Sequence, residues 1–304
     1  MSLEKYCGII PAFYACYEDD GSVSVERTKK FARYLIDKGV KGLYVGGSSG
    51  ECIYLEKEER MTILEAVMEE VKGEATIIAH VACNNTNESC QLAAHAESLG
   101  VDAIASIPPI YFRLPDHAIA KYWNAMSEAA PNTDFVIYNI PQLAGVALSM
   151  GLLKEMCKNP RVIGVKNSSM PTQDIQMFKA ELGDRGVVFN GPDEQFVAGR
   201  AIGAQGGIGG TYASMPELFL KMDALIREGK WDEAREIQYA VNEIIYALCA
   251  CKGNMYGVIK KVLEIREGLK LGSVRAPLAP IVEEDMPQIQ KCAAMIDEAI
   301  KMYC

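Results

Sequence analysis

A lysine and a tyrosine end two successive apolar runs of the sequence. Lys166 closes RVIGVK, and Tyr138 closes DFVIY. Lysine is rarely buried without a reason, and burial can lower a lysine pKa by up to ~3–5 units, which leaves a neutral amine that attacks carbonyl carbon. We therefore predict that Lys166 is a Schiff-base nucleophile. The alternative is a lysine that pairs with a carboxylate and only fills space.

Tyr138 is the candidate for proton transfer. Imine formation and carbon–carbon cleavage both require a proton to move, and a phenol can do this while packing against apolar neighbours. A tyrosine that merely caps a core would also explain this residue. Its position one apolar run before Lys166 favours the catalytic interpretation.

The segment GGSSGE, residues 46–51, follows the apolar run GLYV. Its glycines let a backbone approach a ligand closely, and Ser48 and Ser49 add short hydroxyl donors. This combination suits a small anion such as a carboxylate or a phosphate. A polar loop without a ligand is equally compatible with the segment alone.

A second polar segment, NGPDE, spans residues 190–194 and follows the run GVVF. Two carboxylates and an exposed glycine carbonyl could accept hydrogen bonds from a polyhydroxylated ligand. Acidic residues that open a helix more often serve its cap and its dipole. On the residues alone, the capping role is the favoured interpretation of Asp193 and Glu194.

Metal and nucleotide sites have little support in the sequence. His80, His95 and His117 form no ligand-spaced group, and the pair Cys249 and Cys251 has no second pair to complete a zinc site. GGIGG lacks the rest of a dinucleotide fingerprint, and GGSSGE has no lysine in a phosphate-loop position. We predict no metal and no cofactor.

These segments belong to a repeating pattern of apolar runs and amphipathic stretches. The runs are GIIPAFYA, GLYVGG, ATIIAHVAC, DAIASIPP, DFVIYNIP, RVIGVKNSS, GVVFNGPDE and GGIGGTYA, followed by helical stretches at 24–38, 57–71, 88–99, 117–130, 149–158, 172–182, 195–202 and 216–227. Eight such units predict an α/β fold, a (β/α)8 TIM barrel with a C-terminal helical extension. An open doubly wound sheet is the weaker alternative, because the first turn, CYEDDGS, has no phosphate fingerprint.

The predicted barrel occupies residues 1–228, and the helical extension packed on it occupies residues 229–304, with helices at 231–251, 256–267 and 286–302. Barrel active sites lie at the carboxyl ends of the strands and in the loops that follow. GGSSGE, Tyr138, Lys166 and NGPDE all fall at such positions. The prediction is therefore one site built from four strand ends.

Composition excludes several classes of function. The chain has 304 residues, a formal charge of −9 and no basic cluster, so we expect neither a nucleic-acid nor a membrane partner. No apolar run approaches the ~20 residues that span a bilayer. Its ten cysteines are scattered and no signal peptide precedes them, which favours reduced thiols and a cytoplasmic location.

The motifs GLYVGGSSGE, YNIPQLAG, GVKNSS and NGPDE, in this order, resemble those of the N-acetylneuraminate lyase and dihydrodipicolinate synthase superfamily of pyruvate-dependent class I aldolases. The resemblance covers nearly the whole chain. It implies that Lys166 forms an imine with a keto acid, that Tyr138 is the proton shuttle, and that Ser48 and Ser49 hold the carboxylate. The iminium would act as electron sink, so no cofactor is implied.

The resemblance also selects a branch of this superfamily. Dihydrodipicolinate synthases typically carry an arginine where this chain has Leu143, and leucine cannot bind a carboxylate. Sialic acid lyases read YNIPALSG at this segment, and Leu143 matches them. In that branch the sugar-binding positions fall on Ser168, Gly191, Asp193, Glu194 and Thr211. This reverses the capping interpretation of the acidic pair, Asp193 and Glu194.

Reversible cleavage of N-acetylneuraminate to N-acetylmannosamine and pyruvate is the implied reaction. Two departures bear on the substrate: Gly210 replaces a serine found in many lyases, and Ser49 replaces a threonine. The alternatives are a lyase for another 2-keto-3-deoxy sugar acid, a dihydrodipicolinate synthase, and a non-catalytic sensor. Family members are commonly homotetramers, in which Tyr111 of PPIYF would reach a partner's site.

Overall fold

Eight short parallel strands form the centre of the computed structural model, which describes residues 3–304. Apolar residues fill the strands, and nearly every strand residue is buried because helices cover the outside. The strands are β1 (Ile9–Pro11), β2 (Gly42–Val45), β3 (Thr76–His80), β4 (Ala103–Ser106), β5 (Asp134–Asn139), β6 (Val162–Asn167), β7 (Val187–Asn190) and β8 (Gly206–Gly209).

The strands pair in the order β1-β8-β7-β6-β5-β4-β3-β2, and every pair is parallel. The circle closes between β1 and β2, where Ala12 and Tyr44 form a parallel bridge. The Lys41 N–H donates to the Ile9 carbonyl at 2.8 Å across the same junction. The predicted TIM barrel is confirmed.

Helices alternate with the strands and begin or end at recognisable cap residues. The Ser24 side chain accepts a hydrogen bond from the Arg27 N–H at the start of α1, and Gly100 ends α3 in the left-handed region at φ 81°. The barrel helices are α1 (Val25–Asp37), α2 (Lys57–Val71), α3 (Thr86–Leu99), α4 (Asp116–Ala129), α5 (Pro141–Ala144), α6 (Met150–Met156), α7 (Gln173–Leu182), α8 (Phe196–Ala201) and α9 (Pro216–Arg227).

The barrel interior is packed with side chains and is closed at its amino-terminal end. An inner cluster includes Ile10, Tyr44, Ile78 and Phe189, all of them fully buried. Tyr6 lies beneath it, with its hydroxyl 2.7 Å from the carboxylate of Asp134. A site can therefore form only at the opposite end of the barrel, among the loops that follow the carboxyl ends of the strands.

Three longer helices follow the barrel: α10 (Trp231–Cys249), α11 (Met255–Glu267) and α12 (Met286–Tyr303). α10 packs against α9, and α12 returns across α9, α10 and α11. The change from alternating strands and helices to helices alone falls between Arg227 and Trp231. The division into a catalytic barrel of residues 1–228 and a helical extension of residues 229–304 packed on it stays a prediction.

The short helix α5 was not predicted. It follows Tyr138 and Asn139, and a proline at its first position, Pro141, supplies the fixed φ that suits a helix start. At four residues it is too short for hydrophobic periodicity to reveal. In the described part of the chain, none of the helices is long and apolar enough to cross a bilayer.

Candidate active site

Lys166 and Tyr138 are direct neighbours across the β5–β6 pair. Lys166 is 4% exposed, and its Nζ lies 3.9 Å from the centre of the Tyr138 ring and 4.1 Å from the centre of the Tyr44 ring. Within residues 3–304, no carboxylate forms an ion pair with this lysine. The amine therefore meets two aromatic faces instead of an anion, and such faces attract a cation formed there.

Tyr44 was missed by the sequence analysis. It lies on β2, is fully buried, and contacts Tyr138 edge-on at a ring distance of 5.9 Å. Burial raises the pKa of its phenol well above the ordinary value, and among residues 3–304 its hydroxyl has no hydrogen-bond partner. Tyr44 lies inside the apolar run of β2 and is followed by Val45, so only the closed barrel brings it beside the lysine.

The GGSSGE loop is shaped by glycines and by one left-handed glutamate. Gly46 has φ 74°, and a Cβ on Gly47 would lie 2.6 Å from the Tyr44 ring, so no larger residue fits there. Ser48 begins a short 3₁₀ turn that ends at Gly50, and Glu51 follows at φ 57°. This turn presents Ser48 and Ser49 to the cavity described below.

The buried carboxylate of Glu51 accepts three hydrogen bonds, two from the helical extension and one from Tyr17 of the barrel. The Lys260 Nζ donates at 2.8 Å, the Arg275 N–H at 2.7 Å and the Tyr17 hydroxyl at 3.1 Å. Both members of the Glu51–Lys260 pair are at most 1% exposed. Burial lowers the pKa of Lys260, while the charge of Glu51 acts to raise it.

The NGPDE loop does not cap a helix through Asp193. One Asp193 oxygen instead accepts hydrogen bonds from the Thr211 N–H and hydroxyl, each at 2.6 Å. The other oxygen is buried without a partner in the described residues. The capping role that the residues alone favour is thus wrong for Asp193, because the loop turns its carboxylate towards β8 and away from the helix start.

Burial gives Asp193 an unusual protonation equilibrium. Desolvation raises its pKa to about 7, and the hydrogen bonds from Thr211 act in the opposite direction. Glu194, next to it, is exposed. Helix α10 holds both residues by their backbone, since Gln238 donates to the Asp193 carbonyl and Asn242 to the Glu194 carbonyl, each at 3.0 Å.

Ser168 and Gly191 approach each other at the ends of β6 and β7. The Gly191 N–H donates to the Asn167 carbonyl at 2.7 Å. A Cβ on Gly191 would lie 2.1 Å from the Ser168 Oγ and 2.6 Å from the Asn167 carbonyl oxygen, and because the backbone cannot move aside this position requires glycine. The close contact leaves the Gly191 backbone and the Ser168 hydroxyl on one wall of the cavity.

One cavity of about 220 Å³ joins these groups at the carboxyl ends of the strands. It is lined by every predicted site residue except Tyr111: Ser48, Ser49, Tyr138, Lys166, Ser168, Gly191, Asp193, Glu194 and Thr211. Tyr111 lies outside it, 89% exposed, with φ 84° and its ring edge-on to Phe112 at 4.9 Å. The roles of these residues stay predictions.

The helical extension also lines the cavity, which the sequence analysis did not foresee. Ile245 of α10 and Met255 and Tyr256 of α11 contribute side chains, and Leu143 of α5 completes an apolar edge. No strand-end pattern marks these helical residues. Their position depends on how the extension folds back over the barrel.

Metal chemistry has no ready ligand set here. Across residues 3–304, no three His, Cys, Asp or Glu side chains are grouped to hold a metal ion. All ten cysteines are free thiols. The reactive groups of the cavity are an amine, phenols, hydroxyls and carboxylates.

The chain is similar to proteins of one family, in sequence and in structure. The model of the dihydrodipicolinate synthetase family matches residues 5–296. An N-acetylneuraminate lyase of Mediterraneibacter gnavus is 63% identical over 302 residues, which is 99% of this chain and 96% of the relative. An N-acetylneuraminate lyase of Escherichia coli is 32% identical over 289 residues, covering 95% of this chain and 96% of the relative.

Solved structures agree with these relatives. The wild-type sialic acid aldolase of Ruminococcus gnavus has a TM-score of 0.98 at 63% identity, and the match covers 99% of this chain and all of that one. A Clostridium difficile protein, CdNal, solved in complex with mannosamine, has a TM-score of 0.88 at 28% identity over 98% of this chain and 99% of its own.

Proposed function

The chain belongs to the dihydrodipicolinate synthetase family, and from this we propose that it catalyses the reversible aldol cleavage of N-acetylneuraminate to N-acetylmannosamine and pyruvate. The observation that carries the proposal is the position of Lys166. It is buried, free of an ion pair in the described residues, and in one cavity with the GGSSGE loop and the Asp193 carboxylate. The close relatives named above support the choice of substrate.

The reaction follows from the chemistry of these groups. The Lys166 amine attacks the keto carbon of the substrate and forms an imine with loss of water. Tyr138 relays a proton: its phenol takes the proton of the hydroxyl on the carbon to be released as it gives up its own, which becomes available to the enamine, and the electron pair of the breaking bond moves into the cationic iminium. The resulting enamine takes up a proton, and water then releases pyruvate and restores the amine.

The tyrosine rings and the serine loop assist this sequence in different ways. The faces of Tyr44 and Tyr138, both near 4 Å from Nζ, favour the positive iminium. Ser48 and Ser49 hold the carboxylate with their backbone N–H groups. Ser168, Gly191, Asp193, Glu194 and Thr211 orient the polyol chain.

Leu143 distinguishes this proposal from dihydrodipicolinate synthesis. It lines the cavity at the position where the resemblance implies an arginine in the synthases, and it offers no charge for the second substrate's carboxylate. Gly210 supports one alternative within the same chemistry, a lyase for another 2-keto-3-deoxy sugar acid, because a hydroxyl expected by the resemblance is missing from the wall.

Pyruvate release decides among these substrates. The purified chain is supplied with N-acetylneuraminate or with shorter 2-keto-3-deoxy acids, and pyruvate is followed through lactate dehydrogenase. Preferential release from N-acetylneuraminate is expected. Release only from a shorter acid, or only condensation of pyruvate with aspartate semialdehyde, would overturn the proposed substrate.

The proposal extends to assembly and location. We infer a homotetramer in which the exposed Tyr111 and Phe112 pack against a partner subunit near its site; aromatic pairs with this exposure are typical of protein interfaces. Ten free thiols support a reducing compartment, the cytoplasm.

A further inference from the structure

We propose that Tyr256 is a further substrate-contacting residue, whose hydroxyl donates to the carboxylate of the keto acid while Ser49 positions it. This inference rests on the proposed function, because it assumes that the carboxylate lies against the GGSSGE loop. Tyr256 belongs to α11, outside the barrel, and it lines the same cavity as Lys166.

Of the two hydroxyl groups of Ser49 and Tyr256, only that of Tyr256 has a proton free to donate to a ligand. The Ser49 Oγ donates to the Tyr256 hydroxyl oxygen at 3.0 Å. A serine hydroxyl has one proton, so in this arrangement the Ser49 side chain has none left for a ligand. The proton of Tyr256 has no acceptor in the described part of the chain and is available to an anion in the cavity.

The serine then acts in two ways. Its backbone N–H, at the turn of the loop, remains available to the carboxylate, and its side chain fixes the tyrosine. Because the two oxygens are 3.0 Å apart, an anion held at Ser49 lies within reach of Tyr256. Tyr256 therefore contacts the carboxylate end of the substrate and not the far end of the polyol.

Neighbouring contacts hold the tyrosine hydroxyl in place. The Tyr256 ring packs against Tyr14 at 5.8 Å, and the Tyr14 hydroxyl donates to the Gly210 carbonyl at 2.5 Å. One helical turn further along α11, Lys260 binds Glu51 of the serine loop. The helix and the loop are thus joined at two points, which fixes the Ser49–Tyr256 distance.

Gly210 leaves the space that this arrangement needs. A Cβ on Gly210 would lie 3.3 Å from the Ser49 Oγ and 3.3 Å from the Tyr256 hydroxyl. Such contacts are tight, so a larger residue at 210 would press on the pair. The missing side chain at position 210 therefore leaves room for the hydroxyl of Tyr256 beside Ser49.

Burial keeps the phenol in its donor form. It raises the pKa of Tyr256 above the ordinary value, while the hydrogen bond from Ser49 acts in the opposite direction. The hydroxyl is protonated throughout the neutral range. The binding of the carboxylate through this group is accordingly independent of pH there.

The test uses pyruvate, which has the carboxylate and the keto group and no polyol chain. Its affinity is measured by calorimetry for the unmodified chain and for Tyr256→Phe and Ser49→Ala. Loss of a hydrogen bond to a charged group weakens binding by roughly 10-fold or more, which is the result expected for Tyr256→Phe. Ser49→Ala is expected to weaken binding less, and the double variant no more than Tyr256→Phe alone.

Tyr122→Phe is the matched control. Tyr122 is also buried, and its hydroxyl lies 3.0 Å from a serine oxygen, that of Ser89, yet it does not line the cavity. The pyruvate affinity of the Tyr122→Phe variant is expected to equal that of the unmodified chain. Circular dichroism checks that each variant is folded. If Tyr256→Phe does not fold, the pyruvate affinity of Ser49→Ala is the test, and an unchanged affinity in that variant overturns the inference.

Two further outcomes separate this inference from the proposed function. Unchanged pyruvate affinity in Tyr256→Phe, with a raised KM for N-acetylneuraminate, would move the contact to the polyol chain and overturn the inference alone. Pyruvate that binds but is never trapped by borohydride would overturn the imine chemistry. The affinities would still decide the role of Tyr256.

Discussion

The environment of Lys166 is made by aromatic rings rather than by charge. Most buried lysines depend on a carboxylate, as Lys260 does with Glu51 at 2.8 Å. Lys166 has Tyr44 and Tyr138 instead. Within residues 3–304 no carboxylate pairs with Lys166, so its amine is not tied to an anion and faces the cavity where a keto acid would bind.

Tyr138→Phe tests the proton transfer. Removal of the hydroxyl leaves the ring beside Lys166 and is expected to lower kcat by about 100-fold or more, the usual contribution of a general acid–base group. Steady-state pyruvate release measures it. Tyr44→Phe removes a neighbouring hydroxyl that has no partner in the described residues, and this variant is expected to keep most of its kcat. Equal losses in both variants would contradict the role of Tyr138.

Asp193 predicts a pH dependence of stability. Its pKa is about 7 in the folded chain against an ordinary value of 3.8, so between these values the unfolded chain has lost a proton that the folded chain keeps. The free energy of unfolding therefore falls as the pH rises through this window. Asp193→Asn lacks this titration and still offers an oxygen to Thr211.

Urea unfolding at about pH 5.5 and about pH 8 measures the effect in both proteins. Relative to Asp193→Asn, the unmodified chain is expected to lose about 2 kcal/mol between the two pH values, since one pKa unit corresponds to about 1.4 kcal/mol. A difference that stays constant, or that grows in favour of the unmodified chain, would contradict the raised pKa.

At the scale of elements, β5 and β6 place the amine and the phenol, and the loops after β2, β7 and β8 line the rest of the cavity. Lys166 and Tyr138 were predictable because each ends an apolar run, and successive parallel strands in a barrel are neighbours. Tyr256 and Tyr44 were not, because helical or strand periodicity assigns both to packing. The backbone shape that turns Asp193 towards Thr211 also leaves no local signal in the sequence.

The Glu51–Lys260 pair links the serine loop to α11. Lys260→Met leaves a buried carboxylate without its cation and is expected to cost roughly 3–5 kcal/mol of unfolding free energy. It is also expected to raise the substrate KM, because the loop that carries Ser48 and Ser49 loses its anchor. Chemical denaturation and steady-state kinetics provide the two measurements.

Two comparisons complete this test. Glu51→Gln combined with Lys260→Met removes both charges and is expected to recover part of the lost stability. Lys158→Met removes an exposed pair with Glu155 and is expected to change little. A Lys260→Met protein as stable and as tight-binding as the unmodified chain would show that the pair does not position the loop.

At the scale of the whole molecule, the barrel and its extension share one site. The sequence predicted the eight units and the three later helices, because periodicity over long segments is strong. It predicted the extension only as an appendage, since nothing local indicates that α10 and α11 reach the cavity. Contacts between distant segments, such as residue 49 with residue 256, depend on the closed fold.

The exposed aromatic pair predicts assembly. Replacement of Tyr111 and Phe112 by alanine removes two side chains that are 89% and 71% exposed in the single chain. Sedimentation velocity is expected to show a tetramer for the unmodified chain and smaller species for the double variant. An unmodified chain that sediments as a monomer, or a variant of unchanged mass, would contradict the proposed interface.

The role of Lys166 is tested most directly by trapping the imine and finding the residue that carries it. The chain is reduced with borohydride in the presence of pyruvate, and peptide mass spectrometry locates the adduct. A single pyruvoyl-derived adduct on Lys166 is expected, which requires pyruvate and is lost in Lys166→Ala. An adduct on another lysine, or none while cleavage continues, would contradict this role.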